Sequence, residues 1–334
     1  MKWFELSGRD TDVVISTRVR LARNLTKFPF PRKLDSDKAA QIVELVTEAA
    51  APARLNSVDF DTLDMNSRLE YVEKHIVSPD FASGDLPRRL LVNDEESLSV
   101  MINEEDHLRI QAMGSGLCLE DCMTSALRLD TLLDSSLSFA FDTERGYLTT
   151  CPTNLGCAMR LSVMLHLPAI IETGYIKSLV SALSKLGLTV RGMYGEGSGI
   201  TGYVYQISNA LSLGYTEAEL LERLTSAVQN IITTERELRK ASCEREETED
   251  RIWRAYGLLT NARSMSSGEA MKLLGELKLA AGTESDKLPI VDDRIINSLL
   301  TKISPNLVGE EDASKRDRRR AELIRSYITS VGEE

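Results

Sequence analysis

The chain has 334 residues, of which 42% are hydrophobic and 27% charged, and its formal net charge is -11. This length suffices for one large domain and a smaller one, and the negative charge argues against non-specific nucleic-acid binding. No apolar stretch approaches the roughly 20 residues of a membrane-spanning helix, and the N-terminus lacks the apolar core of a signal peptide. The five cysteines match no zinc or disulfide spacing, so we expect a cytoplasmic protein with free thiols.

Hydrophobic periodicity predicts an α+β region up to about residue 240. A short strand at 13–15 leads into the segment ISTRVRLARN, and 36–50 has the apolar spacing of an amphipathic helix. Thr216 and Glu219 form a capping-box pattern that opens a long helix. Further strands are predicted at 90–92, 99–102, 107–113, 160–167, 188–193 and 203–208, and further helices at 119–137 and 175–186.

Beyond residue 240 the strand signals end. The sequence there predicts helices separated by Ser, Gly and Pro breaks near 264–268, 282–289 and 304–312. We therefore divide the chain into an α+β region, 1–240, and a helical region, 241–334. The boundary can fall within one continuous helix.

Five arginines stand in short motifs, and two of these motifs also contain acidic residues. A guanidinium group offers a planar, permanently charged set of donors that matches phosphate oxygens. Arginines with nearby carboxylates therefore indicate a site that neutralises a polyphosphate and positions a second, cationic reactant. The alternatives are a solvated surface residue for any one arginine and a solvated turn for the acids. The arginines are Arg18, Arg20, Arg109, Arg160 and Arg191, and the acids are Glu104, Glu105, Asp106 and Glu196.

Four segments together resemble the signature blocks of the ATP:guanido phosphotransferases, the family of creatine and arginine kinases. They are ISTRVRLARN, INEEDHLR, CPTNLGCAMRLSVMLHLP and RGMYGEGSGITGYVYQISN, and they follow the family order over residues 12–240. The phosphagen kinases of this family carry a helical domain ahead of the first block, and we expect that domain to be missing here. The segment Arg316-Asp317-Arg318-Arg319-Arg320-Ala321 is similar to the RDxxRA phosphoarginine-binding motif of the bacterial protein-arginine kinases.

The resemblance implies the fold of this family, an antiparallel β-sheet saddle flanked by helices and followed by a C-terminal helical domain. It implies a kinase that transfers the γ-phosphoryl group of ATP, bound with Mg²⁺, to arginine side chains of proteins. The implied partners are protein substrates, an activator protein, a AAA+ protease in a stress response and a second copy in a homodimer. Neither nucleic acid nor membrane is expected. Two alternatives remain, a small-molecule guanidino kinase and a non-catalytic phosphoarginine-binding module.

The resemblance also assigns roles to residues of the four segments. Glu105 and Glu196 correspond to two carboxylates that hold the guanidinium, and Glu105 is expected to be the base. A base is needed because a guanidinium with a pKa above about 12 is a poor nucleophile. Glu104 is expected to organise Mg²⁺ through water, and Asp106 to orient its neighbours. The implied nucleotide-binding residues are Ser16, Thr17, Arg18, Val19, Arg20, His75, Arg109, Arg160, Leu161, Ser162, Val163, Met164, Arg191, Gly192, Met193, Tyr194, Gly195 and Glu196.

Cys151 corresponds to the reactive cysteine of the family, and nearby arginines would lower its pKa. We expect it to tune the site or sense oxidants rather than act as a nucleophile. The chain departs from the Gly-Thr-Gly of the family, since it has Gly-Cys-Ala at 156–158. His166 lies in an apolar strand pattern and is expected in the core.

In the C-terminal motif the resemblance implies an allosteric site for phosphoarginine. Arg316, Arg319 and Arg320 would grip the phosphoryl group, and Asp317 would take the guanidinium end. On spacing alone, the same residues form a solvated basic face of a helix.

Overall fold

The structure is a computed structural model and describes residues 1–192, 202–283, 285–289 and 292–329. The strands in these ranges are β1 (Val14–Arg23), β2 (Asn56–Asp59), β3 (Arg89–Val92), β4 (Leu98–Ile102), β5 (Leu108–Ser115), β6 (Phe141–Asp142), β7 (Gly146–Tyr147), β8 (Met159–His166), β9 (Leu188–Gly192) and β10 (Val204–Asn209). The α-helices are α1 (Ser36–Ala50), α2 (Met65–Glu73), α3 (Pro79–Ser83), α4 (Leu119–Asp134), α5 (Pro168–Glu172), α6 (Ile176–Lys185), α7 (Glu217–Cys243), α8 (Glu246–Asn261), α9 (Ser267–Lys278), α10 (Asp293–Lys302), α11 (Pro305–Val308) and α12 (Ala313–Thr329).

Eight strands form one antiparallel sheet in the order β2-β3-β4-β5-β1-β8-β10-β9. The central strand β1 pairs with β5 on one side and with β8 on the other. In this register Arg20 is opposite both Gln111 of β5 and Arg160 of β8. Because residues directly opposite each other point to the same face of a sheet, the register places polar side chains of neighbouring strands side by side.

Helices α1, α4 and α7 cover one face of the sheet and form the main hydrophobic core with it. The apolar face of α1 is buried at Ile42 and Val46, as its spacing predicts. Asp35 begins α1 by accepting a hydrogen bond from the backbone N–H of Lys38 at 2.8 Å. Each fully buried aliphatic side chain contributes roughly 1.5–3 kcal/mol, so this face anchors the sheet.

The opposite face of the sheet is divided between two smaller clusters. At the β3–β4 end, residues 60–82 pack on the sheet through Phe60, Ile76 and Phe81. At the other end, helices α8, α9, α10 and α12 form a second core that reaches the sheet at Val204. Between the clusters lies a stretch of sheet that we call the central trough. Its floor carries Arg18, Arg20, Arg109, Arg160 and Arg191.

The observed elements confirm the predicted α+β class with its antiparallel sheet and C-terminal helices. The strand predicted at 13–15 was too short, because β1 continues to Arg23. Arg18 and Arg20 of this strand face the trough, and charged residues inside a strand hide the alternating pattern. The helix predicted to reach 137 ends at Asp134. Since α7 runs to Cys243, the predicted boundary at 240 falls within that helix, and the division of the chain there stays a prediction.

None of the helices in the described ranges is both long and apolar enough to cross a bilayer.

Candidate active site

The five arginines of the sequence motifs all line the central trough. They lie on four strands, Arg109 on β5, Arg18 and Arg20 on β1, Arg160 on β8 and Arg191 on β9. Residues two apart on a strand share a face, which explains why Arg18 and Arg20 point the same way. The strand order then brings arginines from distant parts of the sequence onto one surface.

The positive charge of the trough exceeds the acidic charge beside it. Arg109 pairs with Glu104 at 2.7 Å and with Glu105 at 3.3 Å. Arg18 instead donates to the neutral Gln206 at 3.0 Å. Burial and the charges of Arg109 and Arg160 lower the pKa of Arg18 to about 10. Burial, followed by the neighbouring arginines, also lowers the pKa of the Arg20 guanidinium well below its ordinary value.

Two buried guanidinium nitrogens in the trough, Nε of Arg20 and Nε of Arg160, have no hydrogen-bond partner among the described residues. A buried donor without a partner costs about 1–3 kcal/mol, and more when it is charged. Burial, then Arg191 and Arg109, lowers the pKa of Arg160 as well. An anion with several oxygens would satisfy these donors and relieve the repulsion, so the trough is suited to a polyanion.

Two adjoining cavities lie along the trough. The larger, of about 490 Å³, is lined by His75, Gln206 and Ser304 among others. The smaller, of about 280 Å³, is lined by Glu105 and Cys151 among others. Four arginines line both cavities: Arg20, Arg109, Arg160 and Arg191. A ligand in one cavity would therefore meet a ligand in the other at a shared group of positive charges.

The turn between β4 and β5 carries two acids with different surroundings. The side chain of Glu104 is only 2% exposed and accepts hydrogen bonds from Ser78 Oγ at 2.6 Å, from Arg109 and from the backbone N–H of Glu105. Glu105 is 39% exposed and lines the smaller cavity. Burial raises the pKa of Glu105 against the opposing effect of Arg109, with help from Asp106 and Glu104. Glu105 is thus the acid available to a second reactant.

Asp106 is buried and holds the loop that leads to Cys151. Its Oδ1 accepts hydrogen bonds from Asn24 Nδ2 at 2.6 Å and from the backbone N–H of Thr150 at 2.7 Å. Cys151 Sγ lies 3.0 Å from Thr153 Oγ1, and both residues line the smaller cavity. Asp106 therefore fixes the wall of the smaller cavity that carries the cysteine.

His75 lines the larger cavity from a left-handed backbone conformation, with φ of 60°. Its carbonyl group accepts a hydrogen bond from Gln111 Nε2 at 2.9 Å, which ties the segment to the sheet. Burial and the charge of Arg18 lower the pKa of His75 to about 4. The imidazole is therefore neutral near neutral pH.

Some residues of the predicted nucleotide segments face away from the trough. Thr17, Val19, Leu161 and Val163 alternate with the trough residues and are fully buried on the helix-covered side of the sheet. Thr17 Oγ1 donates to the carbonyl group of Gly116, just before α4, and so has a structural role. The structure does bring together Ser16, Arg18, Arg20, His75, Arg109, Arg160, Ser162, Met164, Arg191 and Gly192. Met193, Tyr194, Gly195 and Glu196 lie outside the described residues.

The Gly-Cys-Ala departure keeps an unusual backbone shape. Gly156 has φ of 102° and Ala158 has φ of 51°, and Ala158 lines the smaller cavity. A left-handed alanine costs about 1 kcal/mol relative to glycine. The turn before Arg160 therefore retains a conformation that favours glycine.

The C-terminal motif is divided between the core and the surface. Arg320 is 1% exposed and donates to the carbonyl groups of Ile303 at 2.8 Å and Met265 at 3.0 Å, while also pairing with Asp317. Ala321 is buried beside it. Arg320 therefore ties α12 to the end of α10 and to the segment before α9, and its donors are not directed at a surface ligand as the sequence had led us to expect.

The exposed part of this motif borders a shallow basic concavity. Arg319 pairs with Glu322 at 2.9 Å, and Arg316 donates to the carbonyl group of Glu310 at 3.2 Å. The basic residues that line the concavity are Arg263, Lys315, Arg318, Arg319 and Arg325. Phosphoarginine binding in this region stays a prediction, with a residue set that differs from the sequence motif.

Sequence reasoning missed several residues of the trough. Gln206 contacts Arg18, and Ser78 contacts Glu104. Gln206 could have been found, because it stands in a quoted motif on the same strand face as Ser208, which accepts a hydrogen bond from Arg160 at 3.3 Å. Glu73 and Ser304 also line the larger cavity. Glu73 stands two residues before the predicted site residue His75, and no motif marked Ser304.

Comparisons with known proteins show the family to which the chain belongs. A family model described as the ATP:guanido phosphotransferase C-terminal catalytic domain matches residues 38–238, and the protein-arginine kinase McsB C-terminal domain matches 245–334. The protein-arginine kinase of Desulforamulus reducens is 40% identical over 347 residues, covering 100% of this chain and 97% of that protein. The protein-arginine kinase of Syntrophomonas wolfei is 43% identical over 342 residues, covering 98% and 94%. The chain belongs to the protein-arginine kinase branch of the ATP:guanido phosphotransferase family.

Solved structures agree on the fold. The duplicated taurocyamine kinase from Schistosoma mansoni with bound transition state analog components gives a TM-score of 0.61 at 27% identity. The match covers 69% of this chain and 34% of that one, so the chain spans about a third of the duplicated kinase. Lombricine kinase gives a TM-score of 0.60 at 24% identity, covering 68% and 67%. The predicted guanido-kinase type of sheet is thereby confirmed.

Proposed function

We propose that the chain is an ATP-dependent kinase that transfers the γ-phosphoryl group of ATP to arginine side chains of proteins. The observation that supports this most is the pair of adjoining cavities with four arginines in common. In this proposal the larger cavity holds ATP, and the smaller holds the substrate guanidinium. The shared arginines stabilise the phosphoryl group as it passes between them.

The trough supplies fixed positive charge, which is what phosphoryl transfer requires. Donors of Arg20 and Arg160 that lack protein partners would bind phosphate oxygens. Mg²⁺ enters with the nucleotide as part of the substrate. No cluster of three or more metal-binding side chains occurs within the described ranges. Because Glu104 already accepts three hydrogen bonds, we assign it the orientation of Arg109 ahead of any contact with water on Mg²⁺.

Glu105 is the proposed base. The attacking nitrogen of the substrate guanidinium loses its proton to the Glu105 carboxylate as the N–P bond forms. At the same time the bond between the γ-phosphorus and the bridging β,γ-oxygen breaks, and ADP leaves with that electron pair. The raised pKa of Glu105 favours proton acceptance. Glu196 remains the predicted second carboxylate, and Cys151 a residue that tunes the smaller cavity.

Protein-borne arginine is proposed as the substrate because relatives that match over nearly their whole length carry the name protein-arginine kinase. The alternative is a kinase of free arginine or a related small guanidine. Comparing ATP consumption with free arginine and with a protein substrate separates the two. We extend the proposal to a cytoplasmic homodimer that works with an activator protein and marks proteins for a AAA+ protease under stress.

The test is mass spectrometry of phosphoarginine after incubation of the purified chain with ATP, Mg²⁺ and casein. We expect phosphorylated arginines with the wild type and a loss of about 10²–10⁴-fold in rate with Glu105→Gln. Glu144→Gln, at an exposed acid of the β6–β7 turn, is the matched control and should keep full activity. Full activity of Glu105→Gln would overturn the assignment of the base. Phosphorylation of free arginine alone would overturn the proposed substrate.

A further inference from the structure

The larger cavity has one wall from each half of the chain. On one side stand Val72 and Glu73 at the end of α2, followed by His75. On the other side stands Ser304, in the turn between α10 and α11 of the C-terminal helical region. The helical region is therefore part of the cavity that the proposed function gives to ATP.

The two walls are joined by Glu73. Its carboxylate accepts hydrogen bonds from the backbone N–H of Asn306 at 2.9 Å, from Asn306 Nδ2 at 2.7 Å and from the backbone N–H of Leu307 at 3.1 Å. Hydrogen bonds to a carboxylate are stronger than neutral ones. Burial raises the pKa of Glu73 in spite of these bonds. The carboxylate is therefore partly removed from water, and the three hydrogen bonds stabilise its charged form.

The turn between α10 and α11 is also held from behind. Arg320 donates through Nε to the carbonyl group of Ile303 at 2.8 Å, directly before Ser304. The α10–α11 turn is thus held on one side by Glu73 of α2, through its bonds to α11, and on the other side by Arg320 of α12. Glu73 can therefore set the position of this cavity wall.

The chemistry of the lining indicates which part of ATP meets this wall. The positive charges of the larger cavity are the trough arginines, which suit the triphosphate. The oxygens of Glu73 are engaged by α11, and His75 is neutral near neutral pH. The other lining side chains are uncharged: Val72, Val77, Ser78, Pro79, Met101, Gln111, Met164, Gln206 and Ser304. An uncharged lining of this kind suits the base and ribose.

We propose that the end of α2 and the α10–α11 turn together receive the nucleoside of ATP, with Glu73 as the positioning residue that holds this wall in place. The C-terminal helical region then sets the affinity for nucleotide, in addition to any role of its basic surface. This inference rests on the proposed function, because it takes the trough as the ATP site.

The experiment measures binding and steady-state kinetics of Glu73→Ala in the full chain. We expect the Kd and the KM for ATP to rise about tenfold or more, with kcat changed less than about twofold, because the lost interaction acts on ground state and transition state alike. Binding of inorganic tripolyphosphate, which has no nucleoside, should be unchanged. Glu73→Gln keeps one acceptor oxygen and should give an intermediate Kd.

The matched control is Glu5→Ala. Glu5 pairs with Lys302 at 2.7 Å and so also joins α10 to the rest of the chain, but it does not line the larger cavity. Its Kd for ATP should stay at the wild-type value. An equal rise with Glu5→Ala, or equal weakening of tripolyphosphate with Glu73→Ala, would overturn the inference. Wild-type ATP affinity in Glu73→Ala would overturn it too, and arginine phosphorylation by that variant would leave the proposed function standing.

Discussion

The trough and α12 are both rich in arginine, and they hold their guanidinium groups in opposite ways. In the trough, the Nε atoms of Arg20 and Arg160 are buried and have no partner among the described residues. In α12, Arg320 is buried as well, but it donates to two carbonyl groups and pairs with Asp317. In the trough, buried arginines thus repel one another and lack partners for some donors in the part of the chain that the structure describes. In α12, the donors of the buried arginine are paired.

Whether a buried arginine has partners for its donors indicates whether it serves stability or function. A buried arginine with satisfied donors stabilises the fold, because its removal leaves acceptors without partners. A buried arginine among other arginines costs stability until a ligand supplies the negative charge. Such groups are typical of functional sites. We therefore expect substitutions of the buried arginines in the two regions to have opposite effects on stability.

The largest effect is expected for Arg20→Gln. Loss of one fixed donor should lower kcat/KM for arginine phosphorylation by about 10²–10³-fold. Because folding lowers the pKa of Arg20, the charged group destabilises the folded state near neutral pH. The melting temperature without nucleotide should therefore stay equal or rise. A lower melting temperature together with retained activity would show that Arg20 stabilises the fold and is not needed for the reaction.

Arg320→Met should have the opposite outcome. It removes the donors to Ile303 and Met265 from the helical core, and the free energy of unfolding should fall by about 3 kcal/mol. Urea unfolding followed by circular dichroism measures this change. The control is Arg319→Met next to it, which breaks an exposed pair with Glu322 and should cost less than about 1 kcal/mol. Equal losses in the two variants would show that the buried hydrogen bonds of Arg320 add nothing to the free energy of unfolding beyond an exposed ion pair.

A smaller effect is expected from pH. The pKa of His75 is about 4 in the folded chain and about 6.5 when unfolded, so the unfolded chain takes up the proton first as the pH falls. Stability from this residue is present above pH 6.5 and is lost between about 6.5 and 4. His75→Asn tolerates the left-handed backbone and does not titrate. Wild type should lose about 2 kcal/mol more than this variant between pH 7 and pH 5, measured by urea unfolding, and equal losses would contradict the shift.

Much of the fold could be predicted from local patterns. The alternation of RLSVMLHL predicted β8, including the buried position of His166, which is 0% exposed. The capping box of Thr216 and Glu219 predicted the start of α7, and both of its hydrogen bonds are present. These features depend on neighbours in the sequence, so a single sequence carries them.

The rest depends on contacts that local patterns do not encode. That Arg109, Arg20 and Arg160 share one surface follows from the order β5-β1-β8, which long-range pairing decides. The contact of Glu73 with Asn306 spans 233 residues of sequence and left no local trace. The burial of Arg320 did have a signal, since it falls on the same helical stripe as Ile324 and Ile328. The motif drew attention to its charge and away from that stripe.

Two cavities joined by shared arginines are proposed to hold a nucleotide and a guanidinium. A crystal structure of the chain with a non-hydrolysable ATP analogue and an arginine-containing peptide would show whether they do. We expect phosphate oxygens within hydrogen-bonding distance of Arg20 and Arg160, and the peptide guanidinium against Glu105. A nucleotide bound away from the trough, or a guanidinium that does not reach Glu105, would overturn this arrangement.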